Sequence, residues 1–228
     1  MFEEFSRIGK YLLQEGLINS HGGGLSVREG DKIYITRYNC LLGDLQKEDI
    51  LEMSMDPAEK NDPNHKELNI HRAIYKATPA KAIVHAHPAN ATAISITDNK
   101  VVPQDMEGNS VFRSAPIVRG RDEVGAEETA NLVPTFFVGG SVVIVVKGHG
   151  SFAIGQTLEE AYRYTSALEN SCKILVAVRS SGGKQPQHDK YEKRDQSSSR
   201  QPLHQRSMHS RSGIPPGIGV MDRSRYKR

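Results

Sequence analysis

A break in composition after Val178 sets the limits of the folded body. Up to that point apolar residues recur at helical or strand spacing. Beyond it come Arg179, Ser180-Ser-Gly-Gly183, a Gln/Ser/Arg-rich stretch and Ile214-Pro-Pro-Gly217. That stretch has too few apolar side chains to offset the entropy of ordering it. One domain is therefore expected over residues 1–179, followed by a disordered basic tail over 180–228. Lys184 to Arg228 carries eleven Lys/Arg against four Asp/Glu, a net +7, while the whole chain carries +3, so the preceding residues sum to −4. The basic character thus belongs to the tail. Its composition fits a solvated appendage; an arm for nucleic acid or another anionic partner is the sharper alternative, but no RNA-binding signature or interleaved aromatic residues accompany the charge.

Within the body the longest apolar run, in Ser141–Val146, is far too short to cross a bilayer. The opening Met1-Phe2-Glu3-Glu4 is acidic where a secretory leader would be basic, so cytoplasm is the expected compartment and no membrane partner is expected. The two cysteines, Cys40 and Cys172, have no paired spacing, which excludes a thiolate metal site and a disulfide framework. Attention passes to the nine histidines.

Phe2, Phe5, Ile8, Leu12 and Leu13 predict a helix over Phe2–Gln14, stopped near Gly16. A glycine turn from His21 leads into a strand ending near Arg28, and Lys32–Thr36 reads as its hairpin partner. A helix over Glu67–Ala77 ends at Thr78-Pro79, and the strand Ala82–His87 is closed by Pro88. Further helices are predicted over Ala89–Ile96 and Asp122–Leu132, and strands over Ser141–Val146 and Ser151–Ile154. Thr157-Leu-Glu-Glu160 reads as a capping box opening a last helix, Leu158–Val176. Strands interspersed with helices predict an α/β fold with a mixed, largely antiparallel sheet and helices on both faces.

Side chains at i and i+2 of a strand share a face, so His85 and His87 emerge together, as a metal clamp would require. Zinc needs three or four ligands at roughly 2.0–2.2 Å from N and O donors, and two imidazoles fall short. His149, between two glycines directly after an apolar strand, is the third candidate. Glu67, upstream of the His85 strand, can complete the sphere or move a proton. Taken singly, the His-x-His pair also fits structural or surface histidines, and Glu67 also fits a first-turn glutamate favoured by the helix dipole.

Asn64-His-Lys-Glu67 to His71, Ile83-Val-His-Ala-His-Pro88 and Lys147-Gly-His-Gly150, with Gly22-Gly-Gly-Leu-Ser-Val-Arg28 and Tyr34-Ile-Thr36, resemble the class II aldolase and epimerase family over roughly residues 1–178. The resemblance implies a three-layer fold assembled as a homotetramer. It further implies one Zn2+ per subunit on Glu67, His85, His87 and His149, and Glu67 as proton donor and acceptor. The implied reaction is reversible cleavage of a deoxy-ketose 1-phosphate of the L-fuculose 1-phosphate type to dihydroxyacetone phosphate and an aldehyde. A 5-deoxyribulose-phosphate aldolase, a pentulose-5-phosphate 4-epimerase, a methylthioribulose-1-phosphate dehydratase and a non-catalytic module of the same fold are the alternatives.

The chain departs from the family's phosphate cradle, which usually has a Gly-Asn pair, a Ser/Thr-Gly pair and two serines before the glutamate. Gly23-Gly24, Tyr38-Asn39 and His65-Lys66 stand at these positions. Backbone amides of the glycine turn and the Lys66 charge are the expected substitutes. A tyrosine that family members contribute across a subunit interface has no clear counterpart in Val102–Gly108, where Asp105 and Glu107 are the acidic candidates for the aldehyde end.

Overall fold

In the computed structural model, residues 1–58, 67–119 and 127–182 are described, all within a unit spanning Met1–Gln185. The tail expected from Ser180 thus lies, from residue 183 onward, outside the described residues. Helix α1 occupies Phe2–Gln14, as its apolar spacing predicts, and buries Phe5, Ile8 and Leu12. Strands β1 (Gly24–Glu29) and β2 (Lys32–Thr36) form the predicted hairpin, and β2 also pairs with β3 (Ile50–Ser54). Helix α2 (Leu68–Ala77) starts one residue after Glu67, which caps it. Strand β4 (Ala82–Ala86) and helix α3 (Ala89–Thr97) follow.

After α3 come the short strand β5 (Lys100–Val101), helix α4 (Met106–Val111) and strand β6 (Ala115–Val118). Helix α5 (Glu127–Val138), strands β7 (Val143–Val146) and β8 (Gly150–Gly155) and helix α6 (Leu158–Ser180) complete the body. Among the described residues the sheet has eight strands in the order β3-β2-β1-β4-β8-β7-β6-β5. Every pairing is antiparallel except β6 with β7, so the sheet is mixed and largely antiparallel, as expected.

Strand alternation divides the core into two layers. Ala82, Val84 and Ala86 of β4, with Val143 and Val145 of β7, pack toward α1, α3 and α6. Ile83 of β4 and Ile144 and Val146 of β7 pack on the other face, with Leu68, Ile70 and Ile74 of α2 and Val133 and Phe137 of α5. Helices therefore cover both faces.

Several predicted ends move: β4 stops at Ala86, before His87, β7 starts at Val143, and α6 runs on past Val176 to Ser180. Helix α5 continues past Leu132 and through Pro134, because Val133 and Phe137 bury against the layer that holds α2. That burial outweighs the roughly 3 kcal/mol penalty of an interior proline. Residues 122–126 of the predicted Asp122–Leu132 helix lie outside the described residues. At the start of α6 the Thr157 hydroxyl accepts from the Glu160 amide at 3.1 Å, but the Glu160 carboxylate accepts from Gln156 N–H at 2.7 Å, one residue before the cap.

Candidate metal centre

Register brings the site together at the middle of the sheet. Strand β4 lies between β1 and β8, so His85 sits opposite Gly24 on one side and Phe152 on the other. The side without a Cβ leaves room for Glu67: an atom built there would stand 3.4 Å from Glu67 Oε2. On the other side the Phe152 ring stacks on His85 with centroids 4.1 Å apart. His87 follows β4, its amide donating to the Leu17 carbonyl at 2.8 Å. His149 sits in the turn between β7 and β8, where Gly148 adopts a φ of +70° and Gly150 packs so closely that a Cβ would lie 2.3 Å from the Ala86 carbonyl oxygen. Only glycine satisfies both demands without strain.

The four side chains expected to act together do meet. His85 Nε2 lies 3.1 Å from His87 Nε2, 3.0 Å from His149 Nε2 and 3.2 Å from Glu67 Oε1. Metal–nitrogen bonds of about 2.0–2.1 Å imply a tetrahedral edge of about 3.3 Å. The three separations from His85 are close to that length, and the donor atoms of His85, His87 and His149 all lie within 4.8 Å of one another, with Glu67 joined to them through His85. His85 Nδ1 donates to the Ser151 carbonyl at 2.9 Å, which turns Nε2 toward the other three groups. Donor chemistry and spacing both fit zinc or a similar divalent ion.

The electrostatics favour positive charge at the same point. Burial alone would raise the Glu67 pKa, but the facing His85 charge and hydrogen bond, aided by His71 and His149, outweigh it and lower it to about 2. Burial pulls His85 down, yet Glu67 and the Ser151 carbonyl reverse this and leave it raised. His87 is lowered to about 4 by burial and then by His85, and His149 to about 3 by burial and then by His85 and His87. Glu67 and His85 thus stabilise each other's charged forms, while His87 and His149 stay neutral and able to bind a cation.

Above the histidines opens a cavity of about 160 Å³. Gly23, Tyr38 and Asn39 line it beside Glu67, His87 and His149, so three members of the expected phosphate cradle share one space with three of the expected metal ligands. Gly24 is buried in β1 beneath Glu67 instead. His65 and Lys66 lie outside the described residues. Asp105 caps α4, accepting from Gly108 N–H at 2.6 Å, and Glu107 lines a different groove with Glu15 and Lys173, so neither lines this cavity.

Sequence reasoning did not select Asn19, His21 and Gly22, which also line the cavity. Asn19 Oδ1 accepts from the amides of His21 at 3.2 Å and Gly22 at 2.8 Å, bending the chain over His87. An Asn two residues before a His-Gly pair is the turn signal that could have found them.

Residues 3–176 match the family described as the class II aldolase and adducin N-terminal domain. The chain belongs to that family. Over 179 residues, 76% of this chain and 94% of its relative, the domain is 32% identical to an L-fuculose phosphate aldolase of Methanocaldococcus jannaschii. A methylthioribulose-1-phosphate dehydratase of Acidiphilium cryptum is 28% identical over 73% of this chain and 85% of its own length. Among solved structures, L-fuculose-1-phosphate aldolase from Thermus thermophilus superimposes with a TM-score of 0.76 at 31% identity, covering 82% of this chain and 97% of that one. The class II aldolase domain has no helix among the described residues long and apolar enough to cross a membrane.

Proposed function

We propose that this class II aldolase domain is a zinc-dependent lyase. It reversibly cleaves a deoxy-ketose 1-phosphate of the L-fuculose 1-phosphate type to dihydroxyacetone phosphate and an aldehyde. The observation that carries this reading is the convergence of Glu67 Oε1 and the Nε2 atoms of His87 and His149 on His85 Nε2, each within 3.2 Å. The L-fuculose phosphate aldolase relative supports the substrate class.

His85, His87, His149 and Glu67 would hold the ion, and the chemistry it supplies when bound is Lewis-acid polarisation of the ketose oxygens. Cleavage breaks the bond between the carbons α and β to the ketone; the hydroxyl on the β-carbon releases its proton to solvent in the cavity as that fragment becomes the aldehyde. Glu67 delivers a proton to the carbon left behind, and removes it again in the synthetic direction. Its place at the head of α2, facing both the histidines and the cavity, suits that exchange. Gly23, Tyr38 and Asn39, with Lys66 and His65, are the proposed phosphate contacts. Gly24 acts differently, by giving Glu67 space. A homotetramer in the cytoplasm, binding sugar phosphates and no nucleic acid, completes the reading.

A coupled assay for dihydroxyacetone phosphate, run with zinc-loaded protein against a panel of ketose 1-phosphates and with Glu67→Gln as control, tests it. Absence of cleavage across the panel removes the aldolase reading. The dehydratase relative favours a second outcome, methylthioribulose-1-phosphate dehydration, which product analysis separates by its single dehydrated product.

A further inference from the structure

Helix α3 stands between two of the histidines in a way that the chemistry described so far does not use. It begins two residues after His87, with Pro88 as its cap. Its first turn is seized by Glu169 of α6, a carboxylate only 2% exposed. Glu169 Oε1 accepts from Asn90 N–H at 3.1 Å and from the Asn90 side-chain amide at 2.7 Å, and Oε2 accepts from Ala91 N–H at 3.0 Å. A buried carboxylate is costly to desolvate unless such charge-assisted bonds meet it, and a helix N-terminus is where they are strongest.

Farther along the same helix lies Ser95, which is fully buried. Its hydroxyl accepts from Gly148 N–H at 2.9 Å and donates to the Thr92 carbonyl at 2.6 Å. The directions are fixed, because an amide can only donate and a carbonyl can only accept. Gly148 is the residue before His149, in the left-handed conformation that sets where the histidine leaves the turn. One rigid helix therefore grips the backbone beside His149 and continues directly from His87. Gly150 closes the triangle, since its Cα packs within reach of Ala86 and the His87 ring.

We propose that α3 is a bracket holding His87 and His149 at a fixed separation, with Ser95 and Glu169 as positioning residues for metal binding. The proposal rests on the metal-dependent reading above. Removing either residue relaxes one end of the bracket and lets an imidazole drift from tetrahedral geometry, while all four ligands remain. Losses of about ten- to a hundredfold in metal affinity are typical when a group that orients a ligand is removed.

The test measures zinc affinity of the full chain by competition with a chromogenic chelator, together with the visible spectrum of the cobalt(II)-loaded protein, whose band intensity reports tetrahedral geometry. Ser95→Ala is expected to weaken zinc binding by about ten- to a hundredfold and to diminish the cobalt bands. Glu169→Ala is expected to do likewise, with partial recovery in Glu169→Gln, which keeps one accepting oxygen. Thr165→Ala is the structural control: Thr165 is equally buried and bonds only within α6, to the Ala161 carbonyl at 3.1 Å, so it should lower stability without moving zinc affinity more than twofold. Should Ser95→Ala fail to fold, Ser95→Cys and Glu169→Gln supply the folded comparison. Zinc affinity within twofold of the parent in the folded variants, or a loss no larger than that of Thr165→Ala, overturns the bracket while leaving the aldolase reading intact. A parent protein that binds no divalent ion overturns both.

Discussion

Glu67 Oε1 and His85 Nε2 lie 3.2 Å apart, joining the cap of a helix to a strand in the middle of the sheet. Gly24, opposite His85, leaves the carboxylate its space, and Phe152 supports the imidazole from the other side. In the proposed reaction this pair is the point at which ion binding and proton movement share a residue.

Replacing Glu67 by Gln keeps the side-chain shape but removes the group that exchanges a proton. Turnover should fall by about 10²–10⁴, the usual scale for a positioned acid–base group. Steady-state rates on the best ketose phosphate of the panel check this, and activity within a few-fold of the parent would contradict it.

Zinc should stabilise the folded chain, because the four proposed ligands come together only in the native sheet. At a free concentration of about 100 times Kd the gain is roughly 2.7 kcal/mol, read as a rise in Tm that a chelator reverses. In His149→Ala, which leaves His85, His87 and Glu67 in place, that rise should largely vanish. An undiminished shift in the variant would show that His149 is not a ligand.

Acid should destabilise the metal-free protein. His87 and His149 have folded values of about 4 and about 3. An unfolded histidine titrates near ~6.5, so between roughly pH 6.5 and pH 4 the unfolded state binds more protons and stability falls as pH falls. His85, which is raised, works the other way: its contribution is complete below ~6.5 and fades as pH rises through its folded value. Glu67, lowered to about 2, adds acid lability below ~4.3. Thermal melts with chelator across this range should show Tm dropping toward pH 4, with a shallower slope in His87→Asn and His149→Asn. A flat profile in the parent would refute the assignment.

Gly150→Ala places a Cβ 2.3 Å from the Ala86 carbonyl oxygen and 2.7 Å from the His87 ring, so backbone must shift. A destabilisation of about 1–3 kcal/mol is expected, as for overpacked cores, together with weaker metal binding. Gly24→Ala meets Glu67 only at 3.4 Å and should be the milder change. Chemical denaturation of the two variants ranks them, and the reverse order would undo the packing argument.

The fold was largely legible because its central elements obey simple periodicities. Helix α1 has the predicted ends, and the hairpin of β1 and β2 pairs across Gly30. Strands β3, β5 and β6 escaped, being short or lacking turn residues that would mark their ends; β5 has only two residues and β6 contains Pro116. Three of the four converging side chains could be proposed from strand spacing and flanking glycines. The fourth, Glu67, could be offered as a candidate from its place just upstream of the His85 strand, but nothing local distinguishes a ligand glutamate from one favoured by a helix dipole, and the family resemblance weighted it. The turn at Asn19 carries a local signal, but Asn19 and His21 were missed as cavity residues because the contact that lays this turn over His87 spans some seventy residues of chain.

Strand β8 is inserted between β4 and β7, and His149 arrives with the turn that precedes it. A chain emerging from the ribosome can thus display His85 and His87 for as long as it takes to synthesise the next sixty-odd residues, without the third imidazole. On the proposed reading, capture of an ion by all three imidazoles then waits until β8 is made, and a chain truncated before it would hold only the His85 and His87 pair.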